Sequence, residues 1–138
     1  MTEIKSDALI IRKSVSEVFN YLCDLRNHEA LMPPDVLNFK ASHDLASISL
    51  KGLGSFNIEK QNVVKNSNLI LQPQGKLPFD FNIEWKLEDR GETTMVVGQV
   101  NAKLNMFIKM VAEPKLRSFV DCQVQQLKIQ MEGDSKNA

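Results

Sequence analysis

The spacing of apolar residues along the chain changes period twice, and each change predicts a different kind of element. Residues Ile4 to Ile11 are apolar and β-branched enough to predict a first strand. Ser14-Val15-Ser16-Glu17 then has the form of a capping box, in which Ser14 and Glu17 satisfy free amides at a helix start. Behind it Val15, Val18, Phe19 and Leu22 recur at i, i+3, i+4 and i+7, one apolar stripe on a short helix. A second short helix is predicted over Arg26 to Met32, and Pro33-Pro34 stops it.

From Val36 the period becomes two. Leu37, Phe39 and Ala41 alternate with polar neighbours, as do Ala46, Ile48 and Leu50. Gly52-Leu53-Gly54 reads as a hairpin turn leading to Phe56 and Ile58, and Leu69 and Leu71 mark another short strand. The clearest strand runs from Phe79 to Leu87: Phe79, Phe81, Ile83, Trp85 and Leu87 face one way, and Asp80, Asn82, Glu84 and Lys86 the other. After a turn at Asp89-Arg90-Gly91, Val96, Gly98, Val100, Ala102 and Leu104 line the apolar face of a last strand. Short hairpin spacings and one wet face argue for an antiparallel sheet.

Helical spacing returns at the end of the chain. Leu116, Phe119, Val120, Gln123 and Leu127 form a stripe, with Arg117, Asp121 and Lys128 opposite. The preceding segment, Met106 to Ala112, is apolar almost all round, and at about 100° per residue its centre lies roughly half a turn from that stripe. Pro114 stands between the two, which predicts a bent or interrupted helix. Residues 1–131 read as one domain and 132–138 as a polar tail.

Composition narrows the function classes. Seventeen basic residues balance seventeen acidic ones, so the basic footprint needed for nucleic acid is missing. No apolar run approaches a membrane span, and the charged N-terminus lacks a secretory h-region, which predicts a cytoplasmic protein. Cys23 and Cys122 lie far apart in helical patterns and read as free, partly buried thiols.

Three stretches carry a resemblance to a known family. They are Ser14 to Asp24, then Arg26 to Pro33, and Pro78 to Glu88 with Gly91-Glu92-Thr93-Thr94. Together with the final Leu116 to Met131 helix, they resemble the START-like superfamily, also called SRPBCC. That resemblance implies an α+β helix-grip fold: a curved antiparallel sheet wrapped around a long C-terminal helix, with two short helices after the first strand. It also implies an apolar cavity between sheet and helix. The second helix, Glu29-Ala30-Leu31-Met32, lacks the aromatic residue common near the proline in that superfamily.

The function expected on this basis is binding or transport of a small hydrophobic ligand, a lipid, isoprenoid or aromatic metabolite. Its lining would draw on Phe81, Ile83, Trp85, Val96, Val100, Met110, Leu116 and Phe119, residues that equally suit a filled core. Met32, Met95, Met106 and Met110 add adaptable packing. The alternatives are a cyclase/dehydratase-type enzyme using the same cavity, and an interaction module with a filled core. Met106 to Ala112 is read as buried, as a ligand gate hinged at Pro114, or as a homodimer or membrane-surface contact.

No catalytic residue, metal or cofactor is expected. His28 and His43 are isolated and read as solvated surface residues, as do Glu29 and Asp35. In His28-Glu29 and His43-Asp44 the adjacent side chains are expected to point apart. Gly52-Leu53-Gly54-Ser55 lacks the following helix and lysine of a phosphate loop.

Overall fold

The computed structural model describes residues 2–34, 36–50, 54–75 and 79–136. Eleven elements follow in order: β1 (Thr2–Lys5), β2 (Leu9–Ile11), α1 (Val15–Cys23), a 3-10 helix (Leu25–Leu31), β3 (Val36–Ala41), β4 (Leu45–Leu50), β5 (Gly54–Val64), β6 (Asn68–Gln74), β7 (Phe81–Asp89), β8 (Thr94–Ala102) and α2 (Met106–Lys136). The strands form one curved antiparallel sheet in the order β1-β8-β7-β6-β5-β4-β3, with β2 also pairing β8. The core lies between the inner face of that sheet, α2 and the two short helices.

The strongest alternations translate directly into buried faces. On β7, Phe81, Ile83, Trp85 and Leu87 are buried, and on β8 so are Val96, Val100 and Ala102. α1 starts where the capping box predicts: Ser14 accepts from the Glu17 amide at 3.3 Å, and its hydroxyl donates to the Glu17 carboxylate. Gly52 and Leu53 of the expected hairpin turn, with Asp35 and Pro78, lie outside the described residues.

Four local features correct or refine the expected course. The first strand divides at Ser6, whose Oγ accepts the Gly98 amide at 2.9 Å while its own amide donates to the Gly98 carbonyl. That side-chain bond takes the place of a ladder bond and separates β1 from β2. The second helix is of the tighter 3-10 type. The alternation of β3 fails because its pairing with β4 shifts between Leu37 and Lys40, and Asn38 adopts φ 52°; Leu37 is therefore exposed and Phe39 only half-buried. Finally, α2 is continuous through Pro114, so the expected interruption does not occur.

Two polar clamps fix the helices to the sheet. Glu132, next to the predicted domain end at Met131, is buried within α2 and accepts from the Arg12 backbone and guanidinium and from Lys128 Nζ. Burial alone would raise its pKa; those bonds outweigh burial and hold it at about 2. At the other end of the sheet, Lys60 Nζ donates to the carbonyl of Cys23, the last residue of α1, at 2.7 Å and pairs with Asp44 at 2.6 Å. His43 Nδ1 also meets Asp44 Oδ1, at 2.8 Å, so these neighbours converge rather than point apart, because they occupy a bend instead of a strand.

The candidate ligand chamber

Seven of the eight expected lining residues converge between sheet and helix. Phe81, Ile83 and Trp85 reach inward from β7, Val96 and Val100 from β8, and Leu116 and Phe119 from α2, all of them buried. Met110 does not join them. It is 77% exposed on the outer side of α2, in a shallow groove of about 420 Å³ shared with Met106, Lys109, Glu113, Pro114 and Arg117. The reason is helical phase: with no break at Pro114, a stripe half a turn from the core-facing one must point outward.

The core between sheet and α2 also holds polar groups absent from the expected lining. His28 is fully buried, contrary to its reading as a surface residue. In a 3-10 helix three residues make one turn, so Leu25, His28 and Leu31 share the inward face. His28 Nε2 lies 2.8 Å from the Leu22 carbonyl. A carbonyl can only accept, so Nε2 carries the proton and Nδ1 presents a bare lone pair. Burial lowers the pKa of this imidazole to about 4, against a smaller opposing effect of the Leu22 bond.

Beside it stands the Trp85 ring, edge to face, with centroids 6.1 Å apart at 89°. Trp85 is wholly buried, and its indole Nε1–H has no hydrogen-bond partner among the described residues; the same holds for His28 Nδ1. Gln123 projects from the core-facing stripe of α2 toward the end of the 3-10 helix, where its Nε2 makes only a weak contact to Met32 Sδ at 3.9 Å. Its Oε1 is likewise unpartnered. One unpaired donor and two unpaired acceptors thus stand among buried apolar side chains, His28 Nδ1 beside Trp85 of β7 and Gln123 Oε1 on α2 near Met32. A buried polar atom left unpaired costs about 1–3 kcal/mol, so each favours a polar partner. Two further unpaired oxygens lie elsewhere: that of Asn66 is in the β5–β6 turn, and that of Gln99 is on the outward face of β8.

A sequence signal for both residues existed. His28 sits midway between Leu25 and Leu31 at a period of three, and Gln123 interrupts an otherwise apolar stripe. Cys23 and Cys122 are free and half-buried, and burial raises both thiols above their ordinary pKa.

A curved antiparallel sheet closed by one long C-terminal helix defines the helix-grip class. Solved structures of the same architecture include XoxI from Bacillus cereus, with a TM-score of 0.73, 9% identity, and coverage of 95% of this chain and 96% of that one. The Aha1 dimer from Colwellia psychrerythraea matches with a TM-score of 0.68 at 16% identity, over 96% and 97% of the two chains. A Thalictrum flavum norcoclaurine synthase mutant bound to a transition-state analogue matches at 0.72 and 8%, over 97% and 96%. At such identities the likeness is one of fold. No protein-family profile matches the chain, and no curated sequence matches it significantly.

Proposed function

We propose that this protein is a START-like, cytoplasmic binder of a small, mainly apolar molecule that carries a hydroxyl or similar donor group. The ligand is held between the sheet and α2. The observation that carries this reading is that three buried polar atoms, His28 Nδ1, Trp85 Nε1 and Gln123 Oε1, are unpartnered in a core otherwise built of residues such as Phe81, Val100 and Phe119. Apolar ligand surface leaving water contributes roughly 25 cal/mol per Å². A ligand hydroxyl donating to Nδ1 and accepting from the indole N–H would add selectivity by satisfying both groups.

The same geometry weighs against the cyclase/dehydratase alternative. An imidazole with a pKa of about 4 is a weak base near neutrality, and no carboxylate among the described residues hydrogen-bonds to it. His28 reads instead as an acceptor that recognises.

Native mass spectrometry of the purified protein, followed by solvent extraction, tests for a bound molecule. Trp85 is the only tryptophan, so its emission reports the interior in a titration with 2-naphthol against naphthalene. Saturable binding that prefers 2-naphthol, with the preference abolished in His28→Phe, is the expected result. Equal response to both probes, or none, would refute the proposal.

A further inference from the structure

The first turns of α2 carry an apolar surface that the core does not use. Met106, Phe107, Met110 and Val111 are 82%, 84%, 77% and 63% exposed. At about 100° per residue, these four and Pro114 cover an arc of roughly 140° directly opposite the buried side chains Ala112, Leu116 and Phe119. This part of the helix is therefore apolar on both sides: one side is committed to the protein, and the other faces outward.

Charge identifies what that outer side meets. The stretch from Lys103 to Arg117 holds four exposed cations, Lys103, Lys109, Lys115 and Arg117, against the single carboxylate of Glu113. Glu113 lies between two of them, 4.0 Å from Lys109 and 3.6 Å from Arg117. A local excess of positive charge in a chain whose overall charge is zero is a feature of this patch. Apolar side chains bordered by lysine and arginine match the interface of an anionic bilayer, with the side chains among the headgroups and the ammonium groups against phosphate. A second copy fits less well. Symmetric pairing would set the same cations against one another, and four or five side chains fall well short of the roughly 20–30 residues a stable interface uses on each side.

We propose that the N-terminal turns of α2 dock on membranes containing anionic lipid, seating Met106, Phe107, Met110 and Val111 in the headgroup layer. The attachment is peripheral, since no helix among the described residues is long and apolar enough to cross a bilayer. This proposal does not depend on what the interior binds.

Flotation with vesicles of equal parts phosphatidylcholine and phosphatidylglycerol, against phosphatidylcholine alone, tests it on the full chain. Binding is expected only with the anionic lipid and should weaken as salt rises. Each of Lys109→Gln and Lys115→Gln should lower affinity about fivefold. Phe107→Ser combined with Met110→Ser should abolish flotation with an unchanged thermal melt, because both side chains are already exposed. A Phe107→Trp reporter should shift its emission to the blue on vesicle addition. Equal flotation with both lipids, or full binding by the double serine variant, overturns the proposal. So does a wild-type dimer in sedimentation equilibrium that the double variant disperses, which would make this face a self-contact.

Discussion

Burying a neutral imidazole makes stability depend on pH in a calculable way. His28 has a folded pKa of about 4 against an ordinary value of 6.5, chiefly through desolvation, with smaller effects from the Leu22 carbonyl, Asp24 and Lys60. Between those values the unfolded chain binds more protons than the folded one, so stability rises with pH across this window. The contribution is complete above the unfolded value and declines as pH falls toward the folded one. From about pH 7.5 to about pH 4.5 the loss is about 2.5 kcal/mol.

The perturbation that isolates this effect is His28→Phe, which keeps an aromatic ring against Trp85 but cannot titrate. At neutral pH the variant should be less stable by about 1–2 kcal/mol, since the Leu22 carbonyl loses its donor. As pH falls the wild type loses its advantage and the two stabilities should cross. Urea unfolding followed by Trp85 emission at a series of pH values measures the difference. Curves that stay parallel from neutral to about pH 4.5 would mean that His28 titrates normally, and would refute its placement as a buried neutral group.

Other elements give independent tests. Glu132→Gln should cost about 2–3 kcal/mol at neutral pH, because the carboxylate's depressed pKa measures its bonds to Arg12 and Lys128. That contribution is present above the ordinary 4.5 and lost as pH falls toward about 2, so the variant's acid denaturation should lack this component. Gly98→Ala would place a Cβ 3.2 Å from Val124 Cγ1 and should destabilise by about 1–2 kcal/mol. Adding Val124→Ala should recover part of that loss in a double-mutant cycle. Pro114→Ala restores a helical amide within α2 and should raise the melting temperature without changing the helix content seen by circular dichroism.

Elements with undisturbed periods were legible from sequence. Phe81 to Leu87 and Val96 to Ala102 alternate without exception on their inner faces, and Ser14 and Glu17 mark the start of α1 chemically as well as by period. Readings failed where one side chain or one residue of register overrode the pattern. Ser6 replaces a ladder bond with its hydroxyl, and Asn38 supplies the irregularity that turns Leu37 outward. The burial of the expected apolar residues follows from the same alternation on the strands and from the helical stripe on α2. Two buried polar residues fall outside that expectation: His28 reads as an isolated surface residue unless the three-residue repeat of Leu25, His28 and Leu31 is used, and Gln123 reads as one position of a packing stripe.

The course of the final helix decides what the outside of the protein looks like. Two apolar stripes half a turn apart can both be buried only if the helix breaks between them, and Pro114 supplied a reason to expect that. Pro114 is itself on the exposed side of α2. There the carbonyl it leaves without an amide partner, that of Met110, can be hydrated, and any bending opens the solvent side and curves the helix around the core. A proline so placed is compatible with a continuous helix, whereas the same residue on the core-facing side would leave an unsatisfied carbonyl in the interior. Continuity then commits the second stripe, from Leu116 to Leu127, to the core and the first to the surface. The exposed Met106, Phe107, Met110 and Val111 thus follow from which side of the helix Pro114 occupies.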